Sequence, residues 1–245
     1  MPKTRIDVRL VELGLADSRA KAQALVMAGN VYVGTRRIDK ASQTVADGEE
    51  PTVKGKEHPW VSRGGMKLAH AIDEFNLDLS GKVVLDLGAS TGGFTDVALH
   101  HGASRVYAVD VGHGQLAWKL REDDRVIVLE KTNARYLTAE QVPELVDVIT
   151  CDASFIGLET ILPASFDLAA EGAHLVALIK PQFEVGKGQV GKKGVVKDPA
   201  LHQEVCNRID AWLGAQPGWS VMGITESPIT GPEGNKEFLI VGRRG

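Results

Sequence analysis

From residue 83 onward, short apolar runs rich in β-branched residues alternate with segments of helical pattern. The runs are VVLDLG (83–88), RVYAVDV (105–111), RVIVLE (125–130), VDVITCD (146–152) and AHLVALIK (173–180). Runs that are apolar on both alternating faces must be buried on both, which is the pattern of parallel strands covered by helices. Two further candidates, WSVMGITES (219–227) and EFLIVGRR (237–244), follow a helical stretch at 201–213. The expected fold is therefore α/β, with a seven-stranded, mostly parallel sheet and helices on both sides.

The first 60 residues have another texture. RIDVRLVELGL and DSRAKAQALVMAG read as two short helices, the second opened by Asp17 or Ser18 as N-cap and ended by Gly29, before a short strand and turn in VYVGTRRI. The polar, turn-rich stretch from 41 to 61 is where an interdomain connection is expected, giving domains 1–60 and 61–245. The tract GKGQVGKKG (186–194) reads as a mobile loop. The chain carries a formal net charge of -4, yet residues 1–63 hold 11 Lys/Arg against 8 Asp/Glu, an asymmetry that suits either nucleic-acid binding or ordinary surface variation. Cys151 and Cys206 are far apart and lack metal-ligand spacing, so neither a disulfide framework nor a structural zinc is expected. With no export signal and no long apolar span, the expectation is a soluble cytoplasmic protein with no membrane partner.

In VVLDLGASTGGF, Asp86 ends the first strand and Gly88, Gly92 and Gly93 cross the turn into a helix. The spacing DxGxxxGG differs from the dinucleotide fingerprint GxGxxG. One β-unit later Asp110 stands where a carboxylate could accept from two ribose hydroxyls, or cap the next helix. The segment resembles the first motif of class I methyltransferases. That resemblance implies S-adenosylmethionine as cofactor, with Asp86, Gly88, Ala89, Gly92, Gly93 and Phe94 along its methionine and ribose end, and Asp110 on the ribose. Asn133 and Ala134 would then border the adenine, with Asp152 as a further contact.

Four polar residues occupy places that a core does not need. Lys67 follows SRGG on an expected helix, Asp152 ends the fourth strand, Lys180 ends the fifth, and Glu237 begins the last. Strand carboxyl ends in a parallel sheet face the ligand crevice. Each has a structural alternative: a solvated helix lysine, an N-cap, a surface lysine and a turn carboxylate. Together, in the order Lys, Asp, Lys, Glu, they resemble the FtsJ (RrmJ) family of RNA 2'-O-methyltransferases over roughly residues 60–244. A ribose 2'-hydroxyl must lose its proton as it attacks, so a base is wanted. Lys180 is the candidate base or hydroxyl-orienting group, with Asp152 and Glu237 orienting the lysines and Lys67 supplying positive charge. Methyl transfer develops no phosphoryl charge, so no metal is required.

Arg5, Leu10, Ser18, Arg19, Ala22, Gly29, Val31 and Val33 match the pattern of the S4 RNA-binding module, which the N-terminal stretch resembles. Gly34 and Thr35 replace its usual asparagine-glycine turn. Arg5, Ser18, Arg19, Lys21, Arg36 and Arg37, with Arg63 in SRGG, are the candidate RNA contacts. An S4-like α+β module joined to a class I Rossmann-like methyltransferase domain is similar to the TlyA family, which goes by the names haemolysin and ribosomal RNA 2'-O-methyltransferase. That similarity implies ribosomal RNA or ribosomal subunits as partner and cytidine 2'-hydroxyls as targets. The rival classes are a pore-forming cytolysin, against which the absent export signal and spanning segment speak, and an RNA-binding protein with a silent methyltransferase fold.

Overall fold

The computed structural model describes every residue except 1, 2, 14, 17, 47, 54–57, 192 and 193, and the side chains of Lys187 and Pro232 also fall outside the description. The chain divides into two compact units, Met1–Pro59 and Trp60–Gly245.

In the first unit, β1 (Lys3–Arg5) leads into α1 (Ile6–Glu12) and α2 (Arg19–Met27), followed by the short strands β2 (Val31–Val33), β3 (Arg36–Arg37), β4 (Thr44–Ala46) and β5 (Pro51–Val53). β1 pairs with β4, and β2 is central to a separate sheet ordered β3-β2-β5. Ile6, Leu10, Ala22, Val26, Val31, Ile38 and Val45 form its core. Ser18 is the N-cap of α2, its hydroxyl accepting from Lys21 N; the alternative cap, Asp17, lies outside the described residues. α2 closes in a Schellman motif, in which Gly29 takes φ +74, Gly29 N donates to Val26 O and Asn30 N donates to Leu25 O. Gly34, at φ +60, and Thr35 still make a two-residue hairpin, because Val33 pairs with Arg36. Much of the polar stretch from 41 to 61 is not linker. β4 and β5 pair back into this unit, and three-residue strands are too short to leave a period-2 signal.

The second unit holds α3 (Gly65–Phe75), β6 (Val83–Leu87), α4 (Gly93–His100), β7 (Arg105–Val109), α5 (Trp118–Arg121), β8 (Val126–Leu129) and β9 (Val146–Cys151). Then come α6 (Leu158–Ile161), α7 (Pro163–Phe166), β10 (Ala169–Ile179), α8 (Pro181–Glu184), α9 (Pro199–Gly214), β11 (Trp219–Glu226) and β12 (Phe238–Arg244). The strands form the expected seven-stranded sheet in the order β11-β12-β10-β9-β6-β7-β8, with β12 antiparallel to both neighbours. Strand alternation divides the apolar side chains between two cores. Val84, Val106, Val148, Val176 and Leu239 pack with α3 and α4, while Leu85, Tyr107, Ile149, Leu175 and Ile240 pack with α6, α7 and α9. β10 begins earlier than expected, at Ala169, with a register shift before His174 around Gly172 at φ +77. At the end of the tract 186–194 Asn235 donates to Gly194 O, and just beyond it accepts from Val196 N.

Candidate active site

Strand order reverses between β6 and β9, and ligands of open α/β sheets bind outside the strand carboxyl ends at such a switch point. Beyond β6 the chain turns at Gly88, whose φ of +81 suits glycine and whose absent Cβ would stand 3.0 Å from the Ala153 backbone. This close approach lets the two strand ends share one rim. Two cavities of about 610 and 450 Å³ open there, with Gly88, Ser90, Asp152 and Ser154 lining both.

The smaller cavity is lined by Asp110, Asn133 and Ala134 together with the apolar Val109, Val111, Ile156 and Ile161. Asp110 is fixed by the turns around it: Oδ1 accepts from Gly112 N (2.7 Å) and Oδ2 from Ser90 N (2.8 Å). Each oxygen keeps a second lone pair, enough for a vicinal diol. Asn133 accepts from Arg135 N and so opens a short 3-10 turn, Ala134–Tyr136, that sets Ala134 in the cavity wall. Among the described residues, Arg135 is the only cation lining this cavity. A carboxylate for a diol, apolar walls for a flat ring and so little positive charge fit a nucleoside without phosphates.

The larger cavity brings Lys67, Asp152, Lys180 and Glu237 together, although they come from α3 and from the ends of three strands. Lys67 Nζ lies 2.7 Å from Glu237 Oε2 and 3.2 Å from Asp152 Oδ2. Lys180 Nζ lies 2.7 Å from Asp152 Oδ1, 3.2 Å from the Asp152 carbonyl oxygen and 3.0 Å from Ser154 Oγ. Asp152 thus bridges two lysines, and two cations stand against two carboxylates. Lys67, Lys180 and Glu237 are all buried, a placement that charged side chains tolerate only when paired. The antiparallel course of β12 brings Glu237 to the edge where the parallel strands end. Ala89, Gly93, Phe94 and Arg63 line the same cavity, and Arg63 donates to Thr230 O.

Two sequence-selected residues lie elsewhere. Asp86 is fully buried beneath the turn, accepting from Thr95 Oγ1 at 2.6 Å and Thr150 Oγ1 at 2.9 Å, so it braces the turn and lines neither cavity. Burial pushes its carboxyl up to about 6, against those two hydroxyls, which favour the charged form. Gly92, at φ +94, also faces away from both cavities, and a side chain there would collide with Leu116 and Leu120.

In the first unit two of the candidate RNA contacts, Arg5 and Arg19, are held by a residue the sequence reading passed over. Asp7 is fully buried and accepts from Arg5 Nε and Nη2 (3.0 Å each), Arg19 Nη2 (3.1 Å) and Gln23 Nε2 (3.0 Å). The Arg5 guanidinium, with help from Gln23 and Arg19, holds Asp7 well below the usual carboxylate range despite burial. Arg36 pairs with Glu49 and Arg37 with Asp39, while Ser18 is engaged as a helix cap. An acid in a first helical turn reads as a dipole partner, so nothing marked Asp7 in advance. Ser154 and Gly231 were also missed. A Cβ on Gly231 would collide with Glu237 Oε1, so only glycine fits over that carboxylate.

The family model for FtsJ-like methyltransferases matches residues 60–244, and that for the S4 domain matches residues 4–50. The chain is 47% identical, over 97% of its length and 89% of the relative, to the Mycobacterium tuberculosis protein named 16S/23S rRNA (cytidine-2'-O)-methyltransferase TlyA. It is 39% identical to Hemolysin A of Brachyspira hyodysenteriae, over 96% of this chain and 98% of that one. A solved structure from Streptococcus thermophilus, provisionally designated a hemolysin, superposes with a TM-score of 0.77 at 44% identity, covering 100% of this chain and 89% of the other. No described helix is long and apolar enough to cross a membrane. With its sheet order, its switch-point crevice and a family match over three quarters of its length, the chain belongs to the FtsJ-like methyltransferase family and carries an S4 domain at its N-terminal end.

Proposed function

We propose that this protein methylates the 2'-hydroxyl of a ribose in ribosomal RNA, at cytidine, with S-adenosylmethionine as donor. The observation that carries the reading is the Lys67, Asp152, Lys180 and Glu237 cluster in the larger cavity, of which Asp152 also lines the smaller one. The smaller cavity takes the adenosyl group, with Asp110 on the ribose and Asn133 and Ala134 beside the adenine. Gly88 and Asp152 stand at the methionine end. When bound, the donor supplies an electrophilic methyl carbon on a sulfonium.

The larger cavity receives the target nucleotide. Lys180 accepts the hydroxyl proton as the ribose oxygen attacks, Asp152 fixes the amine, and Lys67, held by Glu237, stabilises negative charge growing on that oxygen. Arg5, Arg19, Lys21, Arg36 and Arg37 contact phosphates and supply affinity without reading sequence, and Arg63 contacts RNA at the rim of the larger cavity. The name of the Mycobacterium tuberculosis relative supports ribosomal RNA and cytidine.

The decisive variants are Lys180→Ala and Lys180→Arg. Arginine keeps the charge but has no accessible neutral form. Single-turnover transfer of labelled methyl to ribosomal subunits should be lost in both, with adenosylmethionine affinity within a few-fold of the parent. Substantial activity in the arginine variant overturns the base role. Absence of transfer by the parent to either subunit overturns the substrate.

A further inference from the structure

We infer that Ser154 is a positioning residue for Lys180, holding the amine in line and tuning its readiness to take a proton; this rests on the methyltransferase reading above. Lys180 Nζ has three close oxygens: it donates to the Asp152 carbonyl and to Ser154 Oγ, and pairs with Asp152 Oδ1 at 2.7 Å. Two of the three belong to one residue. Ser154 is therefore the one partner that fixes the lysine from a second direction, and the one that brings no charge. Its hydroxyl makes no other hydrogen bond among the described residues, so its own proton remains available.

The placement of Ser154 is built rather than incidental. It follows β9, whereas Lys180 follows β10, and the two loops are laced together by further contacts beyond this pair. Phe155, one residue on, takes φ +66 and sets its ring 5.0 Å from that of Phe183 on α8. Leu158 N then donates to Glu184 Oε1 at 2.8 Å. A non-glycine residue with positive φ is held only where its surroundings impose it. Here that turn presents Ser154 at the rim common to both cavities, where the proton must be transferred.

A serine at this position does what a third carboxylate could not. A carboxylate only accepts, and would hold the ammonium against release of a proton. A hydroxyl accepts from the ammonium and, bringing no charge, accepts equally from a remaining N–H of the neutral amine, which leaves the amine's single lone pair for the ribose hydroxyl. Lys180 thus keeps a hydrogen bond in both protonation states. The other charged groups around it are Asp152 in contact, Lys67 behind Asp152 and Glu237 behind Lys67, and the tests below leave them unaltered.

The test compares Ser154→Ala and Ser154→Thr with the parent in the full-length protein. Ser154→Ala should slow single-turnover methyl transfer about tenfold to a hundredfold, the effect of one lost hydrogen bond to a charged group, with RNA KM and adenosylmethionine Kd within twofold. The rise of rate with pH should move to lower pH, since the ammonium loses an acceptor. Ser154→Thr, which keeps the hydroxyl, should restore most of the rate.

A second readout needs no RNA. Acetylation of Lys180 by acetic anhydride, followed by mass spectrometry across a pH series, should be faster in the alanine variant at each pH below the plateau. Unchanged rate, pH profile and acetylation in Ser154→Ala overturn the proposal, as does equal loss of activity in alanine and threonine variants that still bind cofactor. If acetylation responds as expected while the parent methylates no ribosomal RNA, Ser154 is confirmed as the partner of Lys180 and it is the substrate reading that fails.

Discussion

Lys67 and Glu237 form an ion pair of 2.7 Å in which their side chains are only 8% and 1% exposed. Two charges withdrawn from water in this way hold the fold only while both are present, and removing one strands the other.

Glu237→Ala should therefore destabilise the protein by roughly 3 kcal/mol, the low end for a broken buried pair because Asp152 still faces Lys67. Chemical denaturation measures it. The double variant Lys67→Met, Glu237→Leu should regain most of that stability and yet remain inactive. Recovery of methyl transfer along with stability would mean that the pair serves the fold alone.

Asp110→Ala removes both the ribose acceptor and the anchor of Ser90 N and Gly112 N. Adenosylmethionine affinity should weaken by about 1–3 kcal/mol in calorimetry, and Asp110→Asn, which keeps one acceptor, should lose less. Equal binding by the parent and the alanine variant would remove Asp110 from the cofactor site.

Asp86 makes stability depend on pH in the direction opposite to most carboxylates. Its pKa is raised to about 6 in the folded chain by burial, so the native state binds a proton that the unfolded state has released. Stability falls as pH rises from about 4 to about 6 and stays reduced above that, by roughly 3 kcal/mol. Asp86→Asn, similar in shape and never charged, should flatten this part of the curve. Urea unfolding of both proteins from pH 4 to 8 checks it, and parallel curves would place the titration elsewhere.

Asp7 behaves conversely, because Arg5, Gln23 and Arg19 hold it below the usual carboxylate range. Its contribution is fully present above the unfolded value of about 4 and is lost as acid protonates it. Asp7→Asn releases the two arginines from their common acceptor. It should weaken RNA binding several-fold in low salt, while leaving adenosylmethionine affinity unchanged. Unchanged RNA affinity would show that Arg5 and Arg19 need no such fixing.

The central strands were readable because they are buried on both faces, so Leu85 and Val84 are equally apolar though they pack into different cores, whereas the edge strand β11 leaves Ser220, Met222 and Glu226 exposed. Asp152, Lys180 and Glu237 stood out as charges at the ends of apolar runs, whereas Lys67, on a helix, was marked only by the resemblance of the whole set to the FtsJ family. The short strands β4 and β5 gave too few residues for any period. Asp86 illustrates the opposite failure, since a polar residue at a strand end looks the same whether it faces a ligand or two buried threonines. Ser154 carries no pattern at all. Its role depends on where the loop after β9 meets the loop after β10, which is a property of three-dimensional closure.

The antiparallel return of β12 gives the two sides of the larger cavity different freedom to vary. Its floor comes from parallel strand ends whose spacing is locked by register, so an insertion there disturbs the whole sheet. Its roof is the connection between β11 and β12, where Ile229, Thr230 and Gly231 line the cavity, and Ser227 N and Glu237 O close the base of the loop with a hydrogen bond. Above that bond Gly231 packs against the Glu237 carboxylate and Asn235 is tied to Gly194 O and Val196 N, which confines changes of length to the exposed turn around Glu233. Variation can thus enter the roof at that turn while the contacts that seat Glu237 are kept.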